Sequence, residues 1–140
     1  PSGQLGKVSP TEQDDADIAA GVRIVKAVGA LDIGQAAILR DGYVLAVEAA
    51  EGTDGLLTRS AAFAWDKRAG VLVKLSKPGQ ELKADMPTIG PETVTLAAEA
   101  NLRGIALEEH KTLILDMKEA IRRADVAGIF LIGLDPESGS

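Results

Sequence analysis

The sequence predicts a layered α/β domain: a mixed β-sheet containing a β-hairpin, with flanking helices. Three observations carry this reading. Short β-branched runs alternate with amphipathic segments along the chain, an Asp-Gly pair separates two adjacent runs, and the apolar fraction of 46% is mostly aliphatic. Only Tyr43, Phe63, Trp65 and Phe130 are aromatic, so Ala, Val, Ile and Leu are expected to fill the core. A chain of 140 residues is of single-domain size. At that length about 70% of the unfolded surface is buried on folding.

Residues 1–11 carry Gly, Pro, Ser and Lys without apolar periodicity and read as an interdomain linker, ahead of a domain over 12–135 and a tail over 136–140. Ser9-Pro10-Thr11-Glu12 opens a helix in which Ile18, Val22, Val25 and Val28 recur near helical spacing up to Gly29. Gln35–Arg40 and Tyr43–Glu48 are strand-like runs split by Asp41-Gly42, residues that accept the positive φ of a two-residue hairpin turn. Glu51–Gly55 reads as a Gly-rich turn with capping side chains, leading into a second helix over Leu56–Phe63.

Val71–Leu75 is a buried strand, and the polar stretch Ser76–Gly90 is too long for a simple connector, which marks it as a structured functional loop. Gly90-Pro91-Glu92 opens a third helix to about Asn101, because Pro suits the first helical position. Gly104–Leu107 and Thr112–Leu115 read as strands, Asp116 as the cap of a fourth helix to Ala127, and Ile129–Ile132 as a last strand before a frayed end.

Composition removes several function classes. Cysteine is absent and His110 is the only histidine, so thiolate chemistry and Cys- or His-based zinc sites are excluded, and a reducing cytoplasmic setting is expected. His110 follows two acids in a strand connection and is expected to be exposed and inert. A net charge of −6 disfavours sequence-independent nucleic-acid binding. No run approaches the ~20 apolar residues of a membrane-spanning helix, and Pro1-Ser2-Gly3-Gln4 does not resemble a signal sequence. Walker A, dinucleotide-fingerprint and nucleophile-elbow motifs are all missing.

Three polar segments fall next to strand ends, where ligands of α/β folds bind. In Asp32-Ile33-Gly34-Gln35, Gly34 permits a bend and Asp32 caps. In Glu48–Gly55, N–H groups at a helix start suit a phosphate, with a Thr53 hydroxyl donor and Arg59 compensating charge. Glu48 ends an apolar strand, where an inward carboxylate needs a cation. In Lys74–Gly90, cations, an amide and carboxylates alternate between Pro78 and Pro87, a composition suited to an anion bridged by magnesium. Asp85 is the first choice of metal carboxylate there, with Lys74 and Lys77 offsetting phosphoryl charge. Arg59, Lys67, Arg68, Lys74, Lys77 and Lys83 supply a basic pocket on paper. Ordinary capping and a solvated charged face account for the same residue types, so spacing alone leaves both readings open.

The segments Ala30-Leu31-Asp32-Ile33-Gly34-Gln35, Val44 to Asp54, Lys74 with Lys77-Pro78-Gly79-Gln80, and Asp85-Met86-Pro87-Thr88-Ile89-Gly90-Pro91 resemble, in order and spacing, a known family. This is the UDP-2,3-diacylglucosamine pyrophosphohydrolases of lipid A biosynthesis, of the type unrelated to calcineurin-like phosphoesterases. The similarity runs from about Asp17 to Gly133. It implies a C-terminal hydrolase domain that follows a Rossmann-like N-terminal domain. It further implies Mg2+-dependent cleavage of UDP-2,3-diacylglucosamine to 2,3-diacylglucosamine 1-phosphate (lipid X) and UMP, with the position of Asp85 essential.

On that resemblance Gln35, Thr53, Asp54, Arg59, Lys74, Lys77, Gln80 and Thr88 are the expected substrate-binding residues, and Asp85, Glu48 and Glu51 the expected metal carboxylates. A homodimer and peripheral contact with the inner membrane are the expected associations. The chain departs from the family at Glu81, often Asp there, and at Lys83, often Arg, which loses a bidentate fork for phosphate. The rival reading is a non-catalytic domain that binds an anionic glycolipid or sugar nucleotide.

Overall fold

A computed structural model of the chain describes residues 3–63, 66–76 and 86–137. Six strands form one mixed sheet in the order β1-β8-β6-β4-β2-β3, and two short strands, β5 and β7, form a separate parallel pair. The strands are β1 (Gly3–Gln4), β2 (Ala36–Arg40), β3 (Tyr43–Val47), β4 (Val71–Lys74), β5 (Thr88–Ile89), β6 (Gly104–Glu108), β7 (Leu113–Ile114) and β8 (Phe130–Leu134). The helices are α1 (Glu12–Ala30), α2 (Gly52–Ser60), α3 (Pro91–Glu99) and α4 (Met117–Ala127).

β4, β6 and β8 are parallel, so their carboxyl ends share one side of the sheet, and β2 runs antiparallel to both β3 and β4. The start of β2 and the end of β3 therefore reach that same side. The sheet is buried on both faces: Ile18, Val22 and Val25 of α1 pack one face, while α2, α3 and α4 cover the other through Leu56, Leu57, Val94, Ala97, Ala120 and Ala124. This explains why β2, β4 and β6 are buried along their whole length and show no polar alternation.

Local chemistry sets the boundaries. Thr11 and Asp14 form a reciprocal capping box at the start of α1. Asp41 (φ 49°) and Gly42 (φ 88°) make the positive-φ hairpin turn. Asp17, buried on α1, accepts the backbone N–H groups of Asp41 at 2.9 Å and Gly42 at 2.8 Å, so the helix holds the tip of the hairpin from across the fold.

Several expectations are corrected. Within the segment read as a linker, Gly3 and Gln4 pair with β8, Leu5 packs on the core and the Lys7 N–H donates to Asp125. Glu51–Gly55 is not a turn before α2. The helix starts at Gly52, whose φ of 80° supplies the bend, and Ala61–Phe63 continue as a 3₁₀ turn. Asp116 precedes α4 in a left-handed conformation and makes no side-chain cap. β7 lies outside the main sheet, paired with β5.

Gly104 sets a close spacing between β6 and β8. A Cβ there would lie 2.3 Å from the Phe130 ring across the β6–β8 ladder. Gly104→Ala is expected to destabilise the domain by about 1–3 kcal/mol through overpacking. Urea unfolding, read as a lower midpoint at unchanged slope, checks it.

Candidate functional site

A cleft of about 470 Å³ opens at the carboxyl side of the sheet, walled by the first turn of α2, the first turn of α3, the 88–90 strip, Lys74 and Leu115. Two helix N-termini meet there. The helix dipoles favour negative charge there, although in α3 Pro91 has no N–H and the Thr93 N–H already bonds the Gly90 carbonyl.

The walls are tied by carboxylates. Glu48, which follows β3 and is buried, accepts the Gln35 N–H at 3.0 Å on one oxygen and the Thr53 hydroxyl at 2.5 Å on the other. Its backbone N–H donates to the Ala36 carbonyl. Gly34 is needed because a Cβ would sit 2.1 Å from the Glu48 carbonyl oxygen, so close approach and not only a bend selects glycine. Asp54 accepts the Thr93 hydroxyl at 3.0 Å, and Thr93 in turn accepts the Gly90 N–H at 3.2 Å. This chain of bonds joins α2 to α3.

Lys74 is the cation of the cleft. Only 7% exposed, it donates from Nζ to the Thr88 carbonyl at 3.0 Å. Burial pushes its ammonium below the ordinary 10.5, while the nearby charges of Glu48 and Asp54 act in the opposite direction. Glu51 is held below the usual carboxylate range by its own backbone N–H and by Arg59, whose guanidinium also donates to the Val47 carbonyl at 2.7 Å.

Of the residues singled out in the sequence, Thr53, Asp54, Glu51, Lys74 and Thr88 line one cleft. Gln35 and Arg59 adjoin it through Glu48 and Glu51. Asp85, Lys77, Gln80, Glu81 and Lys83 lie outside the described residues. The basic stretch does not form one pocket, since Arg68 donates to the Ala98 and Leu102 carbonyls at the opposite end of β4. His110 is exposed in a turn at φ 63°.

Sequence reasoning missed three residues. Thr93 bridges the helix starts, Leu115 lines the cleft, and Glu108 ends β6 buried, accepting the N–H and hydroxyl of Ser76 at 3.0 and 2.8 Å. Glu108 carries the same signal that singled out Glu48, a carboxylate closing an apolar strand.

The chain matches the family described as the LpxI C-terminal domain over residues 1–132. It belongs to that family. It is also 45% identical, over 143 aligned residues, to the UDP-2,3-diacylglucosamine pyrophosphatase LpxI of Caulobacter vibrioides, covering 98% of this chain. The chain spans 51% of that relative's length. Within this LpxI C-terminal domain no described helix is long and apolar enough to cross a membrane. Among the described residues no three His, Cys, Asp or Glu side chains cluster as a metal site.

Two outcomes follow from the cleft. Gly34→Ala is expected to displace Glu48 and lower the melting temperature, with loss of the Gln35 and Thr53 contacts visible as amide shift changes. A lysine whose folded pKa is lowered binds fewer protons folded than unfolded, so between the lowered value and 10.5 stability rises with pH. The unfolding free energy of the wild type is expected to rise relative to that of Lys74→Met across that alkaline window.

Proposed function

We propose that the protein containing this chain hydrolyses the pyrophosphate of UDP-2,3-diacylglucosamine to 2,3-diacylglucosamine 1-phosphate and UMP, with magnesium. The observation that carries the reading is a buried ammonium, Lys74, set where two helix N-termini converge, in a chain that belongs to the LpxI C-terminal domain family. A pyrophosphate is compact and doubly anionic, and the cleft supplies what such a group needs. An ammonium has three donors, of which Lys74 gives one to Thr88, and the first turn of α2, which carries no side-chain cap, contributes N–H groups. Such fixed donors stabilise charge that develops on phosphoryl oxygens as the P–O bond breaks.

The donor set fits a hard cation. Asp54 offers a carboxylate on the cleft wall, and magnesium takes one or two carboxylates with substrate phosphates and waters completing its shell. When bound, it supplies charge neutralisation on the pyrophosphate and orientation of the attacking water. Asp85 is the carboxylate proposed to hold it, and the Pro87–Ile89 strip, fixed to β7 and Lys74, carries the chain that leads from Asp85 into the cleft wall. Glu48 and Glu51 serve to order the walls, since their oxygens are engaged by Gln35, Thr53, Ala49 and Arg59.

The other half of the Caulobacter vibrioides relative's length is proposed to have a counterpart here, a Rossmann-like N-terminal domain that closes over the cleft. A homodimer acting at the cytoplasmic face of the inner membrane completes the proposal. The test is UMP release from UDP-2,3-diacylglucosamine with magnesium by the product of the full reading frame that carries this chain. Asp85→Ala is expected to lower kcat by at least ~100-fold with folding intact, and Lys74→Ala by about 100-fold or more. Release that survives Asp85→Ala, or none from the unsubstituted protein, overturns the reading in favour of a binding domain.

A further inference from the structure

The cleft has two chemically different ends. Thr88, Ile89 and Gly90 form an extended strip along its floor, with Gly90 at φ −147° and ψ −174°. Lys74 meets the strip at Thr88. At Gly90 the nearest heavy atom to an added Cβ is Cβ of Leu115, at 3.8 Å. Two extended residues span about 7 Å, so a buried cation and an exposed aliphatic side chain stand roughly that far apart on one surface.

Leu115 is 59% exposed, and Met117, 38% exposed, follows it. Single exposed apolar residues are common on protein surfaces and signify nothing alone. Leu115 differs in being held. Its N–H donates to the Ile89 carbonyl at 2.9 Å. Asp116 then adopts φ 47° and ψ 58°, a left-handed conformation that L residues seldom take. That strained residue separates β7 from α4 and leaves Leu115 facing the cleft and Met117 beginning the helix.

We propose that Leu115, extended by Met117, is a specificity-determining shelf for an aliphatic acyl chain of the substrate, and that it orients the substrate with its pyrophosphate toward Lys74. The proposal rests on the functional reading above. A substrate that joins an anion to fatty chains has the same polarity as the strip from Thr88 to Leu115. An apolar depression of about 450 Å³ between α3 and α4, with Val126 at its rim, is a poorer path. It meets the cleft at the Glu92–Arg123 ion pair, 3.7 Å apart, which a chain crossing there would have to desolvate.

The test compares hydrolysis of UDP-2,3-diacylglucosamine bearing long acyl chains with that of the same compound bearing short ones, using the product of the full reading frame. The readout is the ratio of the two kcat/KM values. Leu115→Ser and Leu115→Asn are expected to lower this long-to-short ratio by roughly tenfold, the loss of one side chain's worth of apolar contact. Leu115→Met and Val126→Ser are expected to retain it. An unchanged ratio in both polar variants, a ratio near one in the unsubstituted protein, or a fall confined to Val126→Ser overturns the shelf while leaving hydrolysis established. Failure of the unsubstituted protein to cleave either compound overturns the functional reading and the shelf together.

Discussion

An ammonium group removed from water must be given other partners, and much of the carboxyl side of this sheet is arranged around that requirement. Lys74 closes β4, a strand buried on both faces, so its Nζ cannot reach bulk solvent by extending along the surface. The Thr88 carbonyl supplies a direct acceptor, and Glu48 and Asp54 supply compensating charge. Each of these groups has a second commitment: Glu48 to Thr53 and Gln35, Asp54 to Thr93, Thr88 to the β5–β7 pair. The result is a preorganised wall in which, among the described residues, the direct partner of the cation is a carbonyl and the carboxylates act from a distance.

The helix starts contribute through the same bonds. Thr53 and Asp54 both occupy the first turn of α2, and neither caps its own helix. Their side chains reach outward instead, one to β3 through Glu48 and one to α3 through Thr93. Glu51, at the N-cap position, makes no side-chain cap either, and the side-chain bonds of Thr53 and Asp54 are tertiary ones. Glu48 and Thr93 thereby give the three elements one common geometry.

Most of the fold was legible because its signals are local. The Asp41-Gly42 turn, the Ser9-Pro10-Thr11-Glu12 helix entry, Pro91 at a first helical position and the uninterrupted apolar runs of β4 and β6 each report on neighbours a few residues away. The failures were non-local. Gly3 and Gln4 carry no strand signature of their own and are ordered by the exposed ladder of β8. Gly52 looked like turn punctuation because a helix that begins on a left-handed glycine cannot be told from a loop until its packing is known. Of the site, residue types near strand ends and a helix start singled out Thr53, Asp54 and Lys74, which line the cleft, and Glu48, which holds Thr53. Thr93 and Leu115 escaped notice, since a threonine one turn into a helix and a leucine closing a short strand are ordinary until the fold sets them against Asp54 and Gly90.

The grip of Asp17 on the hairpin tip bears on how this chain can vary. Surface hairpin turns are usually where a fold absorbs extra residues at little cost, because nothing beyond the two strands depends on their length. Here both carboxylate oxygens of a buried helical side chain are fitted to two successive turn amides. An added residue would break that fit and leave a carboxylate stranded within α1, so the end of the hairpin is as constrained in length as the sheet interior, and sequence drift has to find its room elsewhere.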